Sequence, residues 1–332
     1  MIINTEAYAR AGLVGNPSDG YFGKTLSMIV RNFRARVALY ESPELEILPN
    51  TRDQSVFPSL KSLHQDVQRH GYYGGIRLLK ATAKRFYDYC REQDIHLDDR
   101  NFTLRYHSTI PSQVGLAGSS AIITACLRAL MKFYEVTIPK PIQANLILSV
   151  EDKELRIPAG LQDRVIQVYE GLVYMDFNEV QMTQYKHGDY QSIDPALLPP
   201  LYLAYRKELA EGTEVLHNDL RERWKRKDPA VLEAMKYWAS LTEQARDLLL
   251  KGEGVKMGAL MDMNFDKRRE VCAISEGNLR MVETARRAGA TATFTGSGGA
   301  IAGVYQDEAM YERLVKDLGS IGVEVLKPEV IA

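Results

Sequence analysis

The 332-residue sequence has few of the features that mark secreted or zinc-binding proteins. Its three cysteines, Cys90, Cys126 and Cys272, are far apart and include no Cys-x-x-Cys pair, so they indicate neither a disulfide framework nor a structural zinc site. The six histidines form no His-Glu-x-x-His motif. Such cysteine usage is typical of a reducing compartment, and we expect a cytoplasmic protein.

Neither sign of charge is in excess, because the formal net charge is −1. A nucleic-acid-binding protein needs a surplus of Lys and Arg to neutralise phosphates, so we expect no nucleic-acid partner. Long apolar runs are also missing: the run after Ser120 is interrupted by Arg128, and the first residues lack a basic start followed by an apolar core. We therefore expect no membrane association.

What is present predicts an α+β protein with two domains, since the length exceeds what one hydrophobic core usually supports. A proline-rich stretch predicts the boundary near residue 195, which gives domains 1–195 and 196–332. Alternation predicts strands at 8–15, 102–110 and 171–177, and two antiparallel strands within 26–48. Helical periodicity is found at 76–92, after Ser120, from Pro141 onward, through most of 214–290, and at 307–319.

The stretch GLAGSSA places small residues immediately before a strongly apolar helix. A glycine-rich turn at a helix N-terminus leaves several N–H groups to bind an anion such as phosphate. The alternative is a serine cap with glycine for close packing, and so short a motif does not decide between them. No Gly-Lys-Ser/Thr follows, so this is not a Walker P-loop. The residues of this loop are Gly115, Leu116, Ala117, Gly118, Ser119 and Ser120.

Three further segments could carry chemistry. Asp163 lies just before an apolar helix, where a carboxylate can either complement the helix dipole or accept a proton from a substrate hydroxyl. Glu151, twelve residues earlier, could share a magnesium ion with serine hydroxyls, because magnesium prefers oxygen ligands. A second glycine-rich turn follows Thr295, and Arg10 precedes the polar turn at residues 15–20; both are also compatible with ordinary turn chemistry.

The order of these motifs is more specific than any one of them. Gly-Asn-Pro-Ser-Asp, then Gly-Leu-Ala-Gly-Ser-Ser-Ala, then Gly-Leu-Gln-Asp, then Thr-Gly-Ser-Gly-Gly-Ala resembles the GHMP kinase superfamily over essentially the whole chain. The blocks NPSDGYFGKTLS, HGYYGGIRLLKA, NFTLRYHSTIP, AGLQDRVIQVYEGLVYMDF and MNFDKRR resemble its plant-type glucuronokinase branch. The implied fold has an N-terminal domain of the ribosomal S5 domain 2-like type and a ferredoxin-like C-terminal domain.

The resemblance implies a role for each matching residue. Gly115 to Ser120 would bind the triphosphate of ATP, and Ser120 and Glu151 would hold Mg²⁺. Asp163 would be the catalytic aspartate, and Arg10 a cation beside the reacting hydroxyl. The residues implied for substrate binding are Asn16, Ser18, Asp19, Tyr21, Gly296, Ser297 and Gly298.

The implied activity is ATP-dependent phosphorylation of a sugar acid, D-glucuronate, at the anomeric hydroxyl. Asn16 and Pro17 replace the Glu-His pair of galactokinases, which removes a carboxylate that would repel an anionic sugar. The cation that contacts the sugar's carboxylate is left open among Arg10, Arg164, Lys267, Arg268 and Arg269. Another heptose or hexose kinase, a non-catalytic sugar and ATP sensor, and assembly as a homodimer also stay open.

Overall fold

The structure is a computed structural model, and it describes residues 2–49, 53, 59–61, 74–206 and 214–330. Residues 70–73 of the block HGYYGGIRLLKA therefore lie outside the described residues. Within these ranges, no helix combines the length and the apolar character needed to cross a membrane.

Strands and helices alternate along the chain in the pattern of an α+β protein. The strands are β1 (Ile2–Val14), β2 (Lys24–Ser42), β3 (Glu46–Leu48), β4 (Asn101–Ser108), β5 (Leu172–Asp176), β6 (Asp189–Ile193), β7 (Leu201–Arg206), β8 (Thr293–Phe294), β9 (Ala300–Val304) and β10 (Val323–Leu326). The helices are α1 (Gly75–Glu92), α2 (Gly118–Phe133), α3 (Lys140–Ser149), α4 (Gln162–Tyr169), α5 (Glu179–Tyr185), α6 (Glu214–Lys225), α7 (Pro229–Leu250), α8 (Met257–Val271), α9 (Glu276–Arg287) and α10 (Glu308–Gly319).

The chain forms two compact units, each built from separate segments. The first unit contains Met1–Ala9, Phe33–Ile110 and Ala117–Val168. The second contains Arg10–Asn32, Pro111–Leu116 and Tyr169–Ala332. The sequence-based boundary near residue 195 lies within the second unit, between β6 and β7, and it stays a prediction.

In the first unit, helix α2 is almost entirely buried. Ala121, Ala125 and Ala129 are fully buried at intervals of four residues, so this face of the helix is flat enough to lie close to a strand. The Thr5 hydroxyl of β1 donates to the carbonyl of Ala125 at 2.7 Å. Phe133, at the end of α2, packs edge-on against Phe102 of β4 with ring centroids 5.6 Å apart.

The second unit contains an antiparallel sheet whose strand order is β10-β7-β9-β8. When the strands of this sheet are counted along the chain from β7, their order is that of a ferredoxin-like βαββαβ fold. The helices between β7 and β8 expand this fold. Its buried core includes Tyr202, Phe265, Met281, Phe294 and Leu314. A ferredoxin-like C-terminal architecture is thus confirmed.

The two strands expected within residues 26–48 are present but very unequal in length. The first, β2, runs unbroken from Lys24 to Ser42, and β3 has only three residues. No Gly or Pro interrupts this segment before Pro43, so nothing in it favours a turn. The short β3 that follows pairs in parallel with β4, for example Ile47 opposite Leu104.

Candidate active site

The predicted phosphate loop ends in an uncapped helix N-terminus. Gly115 and Ala117 both have left-handed backbone conformations, with φ values of 71° and 60°, and α2 begins at Gly118. Ala117 occupies the N-cap position, where it has no side-chain oxygen to offer the first-turn N–H groups. An alanine in this conformation costs energy, so the surrounding structure must hold it there.

Gln167 of α4 holds that strained residue in place. Its side-chain nitrogen donates to the carbonyl of Ala117 at 3.0 Å and to the carbonyl of Tyr8 at 3.1 Å. Gln167 is fully buried, so its contacts fix the position of the loop backbone in the first unit. No feature of the sequence had distinguished this glutamine, because its role depends on tertiary contacts.

Neither serine of the loop caps α2. The Ser119 hydroxyl donates to Glu151 Oε1 at 2.8 Å, and the fully buried Ser120 hydroxyl donates to the carbonyl of Ala117 at 3.2 Å. The first-turn N–H groups of α2 are therefore not satisfied by a side chain, as an anion-binding terminus requires. The structure also shows that Ser119, rather than Ser120, lies next to Glu151.

Glu151 and Arg164 form a buried ion pair in the first unit. Arg164 donates to Glu151 Oε2, and both side chains are only 4% exposed. The second guanidinium nitrogen of Arg164 donates to the carbonyl of Gly160 at 2.8 Å and lies 3.3 Å from Asp163 Oδ2. One arginine thus faces two carboxylates.

Asp163 is the more accessible carboxylate of the cluster. Its side chain is 21% exposed, against 4% for Glu151. It lies in the first turn of α4, where the helix dipole stabilises its charged form. Of the two carboxylates, Asp163 is therefore the one that a substrate hydroxyl can reach.

In the second unit, Arg10 connects the two glycine-rich segments. Its Nη1 donates at 2.7 Å to the carbonyls of both Gly115 and Thr295. A Cβ atom at Gly296 would lie 2.9 Å from both terminal nitrogens of Arg10, and 2.6 Å from the carbonyl of Gly115. Gly296 is thus required for the close approach of the loop to this arginine.

The polar turn after β1 is held by two side chains of α8. Asn264 accepts a hydrogen bond from the N–H of Gly15 at 2.8 Å, and Arg268 donates to Asn16 Oδ1 at 2.9 Å. The same guanidinium donates to the carbonyls of Gly296 at 2.7 Å and Ser297 at 3.2 Å. Asn264 and Arg268 are one helical turn apart, so the segment MNFDKRR presents them on one face of α8.

The remaining predicted substrate residues differ in accessibility. Ser18 is fully buried, and its hydroxyl is used within the turn, donating to the carbonyl of Lys24 at 2.9 Å. Asp19 and Tyr21 are half-buried. The Tyr21 ring lies 5.3 Å from that of Trp224 on α6, and burial raises the pKa of its hydroxyl to about 12.

Three other cations considered for the sugar's carboxylate are either paired with carboxylates or exposed to solvent. Lys267 lies 2.9 Å from Glu270 and 3.5 Å from Glu233, and Arg269 is exposed. Arg164 faces two carboxylates of the first unit. Of the three consecutive cations at 267–269, the structure brings Arg268 to the predicted substrate turn.

Comparison with known proteins agrees with the family resemblance seen in the sequence. The GHMP kinases N terminal domain matches residues 77–171. Glucuronokinase 1 of Arabidopsis thaliana is 46% identical over 305 residues, covering 90% of this chain and 84% of the relative. Probable glucuronokinase 2 of the same plant is 45% identical over 307 residues, covering 90% and 83%. The fold is also that of Lactococcus lactis galactokinase, with a TM-score of 0.78 and 14% identity over 99% of this chain and 93% of the galactokinase.

Proposed function

Since the chain belongs to the glucuronokinase branch of the GHMP kinase family, we propose that it phosphorylates D-glucuronate at the anomeric hydroxyl, using ATP. The observation that carries this proposal is the agreement between the relatives and the site geometry. Three features are present: an uncapped helix N-terminus, a carboxylate accessible to a hydroxyl, and a buried cation at the polar turn after β1.

The first of these features suits the triphosphate. Phosphoryl transfer needs positioning and charge neutralisation more than covalent chemistry. The N–H groups of Gly118, Ser119 and Ser120 supply fixed dipoles at the positive end of α2, a helix of 16 residues. Because Gln167 and the close packing of Gly118 against Ile110 fix this backbone, the amides need not reorganise during the reaction.

The residues near Glu151 fit a magnesium ion. Ser119 Oγ and Glu151 Oε1 are 2.8 Å apart, close to the separation of about 2.9 Å between neighbouring oxygens of an octahedral ion with ligand distances of 2.0–2.1 Å. We propose that Glu151 holds Mg²⁺ together with a serine of the loop, either Ser119 or the sequence-predicted Ser120. Bound there, the ion would neutralise phosphate charge.

Asp163 is proposed to orient the anomeric hydroxyl and accept its proton. Its neighbour Arg164, at 3.3 Å, stabilises the ionised carboxylate that this role requires. An anomeric hydroxyl is more acidic than an ordinary alcohol, so a carboxylate of ordinary basicity suffices. Arg10 is proposed to add positive charge near the transferred group, in addition to holding the glycine loop.

The sugar is proposed to bind at the turn that contains Asn16, Ser18, Asp19 and Tyr21, together with the glycine loop at 296–298. An amide at position 16 presents a neutral donor and acceptor where a carboxylate would repel an anionic sugar. Because the Ser18 hydroxyl is engaged within the turn, we expect that residue to shape the site through its backbone.

We further propose a cytoplasmic enzyme that acts on a small molecule without a nucleic-acid partner. The three free cysteines are buried, and burial raises the pKa of Cys126 to about 12, which keeps its thiol unreactive. Association into a homodimer is an additional proposal, and light scattering of the purified protein tests it.

The substrate is tested by measuring ADP release over a panel of sugars. The panel contains glucuronate, galacturonate, glucose, galactose and a heptose, each with ATP and Mg²⁺. We expect the highest kcat/KM for glucuronate. A higher kcat/KM for a neutral hexose or a heptose would identify a different sugar kinase, and sugar and ATP binding without ADP release would identify a sensor.

A further inference from the structure

Arg268 carries a charge that no acidic group of the described protein balances. The side chain is 1% exposed, and its three hydrogen bonds go to the neutral oxygens of Asn16, Gly296 and Ser297. The guanidinium carbon also lies 5.1 Å from the ring centroid of Phe294. Burial lowers its pKa, but an arginine starts so high that it stays protonated at neutral pH.

Two other buried or half-buried cations have carboxylate partners. Arg164, equally buried, faces two carboxylates, and Lys24 donates to both Asp176 and Glu243. A buried charge without a counter-ion is strongly destabilising, and proteins normally pair such groups. Over the parts of the chain that the structure describes, Arg268 has no ion pair, and an anion bound nearby would balance its charge.

The contacts of Arg268 determine how Asn16 is oriented. A guanidinium can only donate, so the oxygen of the Asn16 amide must face Arg268 and the NH₂ group must point elsewhere. Asn264 fixes the backbone of the same residue, donating to the carbonyl of Asn16 at 3.4 Å and accepting from the N–H of Gly15 at 2.8 Å. No hydrogen bond links the Asn16 NH₂ group to any described residue, so it is available to an acceptor on a ligand.

We propose that Arg268 is a positioning residue that selects the anionic sugar through Asn16. It holds the Asn16 amide so that the NH₂ group donates to the carboxylate of the substrate, and that carboxylate balances the buried guanidinium charge. This inference rests on the proposed glucuronate kinase activity and adds to it the residues that distinguish a sugar acid from a neutral sugar.

The test compares kcat/KM for glucuronate and for glucose in four variants. Asn16→Asp places a carboxylate against Arg268, which balances its charge within the protein and repels the carboxylate of the sugar. Arg268→Met removes the charge at similar length, and Arg268→Lys keeps the charge but loses the fork that fixes Asn16. Arg269→Met is the matched control, because Arg269 is the exposed neighbour on the same helix.

We expect Asn16→Asp and Arg268→Met to lower kcat/KM for glucuronate about 10- to 100-fold, the effect of losing one charge-assisted contact, with a much smaller change for glucose. Arg268→Lys should recover part of the loss, and Arg269→Met should match the wild type. Asn16→Asp keeps a partner for Arg268, so its melting temperature should not fall. That variant therefore decides the matter even if Arg268→Met does not fold.

Three results would overturn the inference. An equal loss for both sugars would mean that Arg268 only stabilises the loop. A raised KM for ATP with an unchanged preference for glucuronate would assign the buried charge to phosphate. An unchanged preference in both Asn16→Asp and Arg268→Met would remove the role altogether. In each case a wild-type preference for glucuronate leaves the proposed function intact, and its absence in the wild type would reject that function instead.

Discussion

Buried charges have different kinds of partner in the two units. In the first, Arg164 contacts the carboxylates of Glu151 and Asp163. In the second, Arg268 is bound only by neutral oxygens of Asn16 and the glycine loop. We propose that the carboxylates of the first arrangement help to hold a cation and that the guanidinium of the second attracts an anion.

This difference has a chemical consequence for a kinase that acts on a sugar acid. Such an enzyme must bind a magnesium ion and an anionic sugar in addition to the polyanionic nucleotide. We propose that Glu151 of the first unit serves the metal and that Arg268 of the second serves the sugar's carboxylate. A buried guanidinium without a carboxylate partner is costly in a protein without ligands, so we attribute Arg268 to binding rather than to stability.

The largest expected effect is at Asp163, in the first unit. Asp163→Asn should lower kcat by about 10²- to 10⁴-fold, because the variant cannot accept the proton of the substrate hydroxyl. The side chain is partly exposed to solvent, where an amide is also tolerated, so the melting temperature should change little. Steady-state kinetics and thermal unfolding measure the two quantities. A wild-type kcat would show that Asp163 is only a helix-terminal charge.

Glu151→Gln should give the next largest effect, because it changes both the metal site and the ion pair. A neutral amide binds Mg²⁺ less well, so half-maximal activity should require a higher magnesium concentration. Arg164 loses its buried partner, but the cost should be below the 3–5 kcal/mol typical of a broken buried pair, since Asp163 and the carbonyl of Gly160 remain. An unchanged magnesium requirement with reduced stability would make Glu151 a structural residue.

Two serine variants separate the metal ligands of the loop. If the geometry at Glu151 is retained with the ion bound, Ser119→Ala should shift the magnesium dependence more than Ser120→Ala does. The reverse order would support the sequence-based prediction of Ser120. Titration of activity against magnesium, with ATP held constant, decides between them.

The choice between these serines shows where inference from sequence ends. The motif order indicated the loop, Glu151 and Asp163, because each depends on residue type and spacing along the chain. Successive helical residues differ by about 100° in direction, so which serine faces Glu151 depends on where α2 begins, and sequence patterns fix helix ends only to within a residue or two.

Features that depend on tertiary structure are also beyond what sequence patterns can predict in other parts of the chain. Apolar periodicity predicts helices α1 and α2 correctly, because this pattern is contained in the residues of each helix. Alternation within 26–48 predicts strands but not how the residues divide between them, so the length of β2 is seen only in the structure. Arg268 stood among three consecutive cations, and only the packing of α8 separates it from the paired Lys267 and the exposed Arg269.

In the second unit, Gly296→Ala should have an intermediate effect. Its Cβ would lie 2.6 Å from the carbonyl of Gly115 and 2.9 Å from the guanidinium of Arg10, so the loop must shift. Overpacking of this kind costs about 1–3 kcal/mol, and we expect reduced stability together with a raised KM for the sugar. Gly319→Ala is the control, since a Cβ there meets no atom within 4 Å. Equal behaviour of the two variants would show that the loop tolerates displacement.

The smallest effect should come from Tyr21→Phe, which removes the hydroxyl and keeps the ring beside Trp224. Burial raises the pKa of this hydroxyl to about 12 from the usual 10, so the group stays protonated in the physiological range. Between pH 10 and 12 the folded protein retains a proton that the unfolded chain loses, and wild-type stability therefore falls as the pH rises. Relative to the wild type, Tyr21→Phe should have a constant free energy of unfolding below pH 10 and become progressively more stable above it. Activity at pH 7–9 should decline at most a few-fold, through loss of one neutral hydrogen bond to the sugar. Denaturant unfolding at pH values below and above 10 measures the difference in stability between the two proteins. A stability difference that does not change above pH 10 would show that the Tyr21 hydroxyl reaches water, and the second unit would then offer the sugar a more open turn than its buried arginine implies.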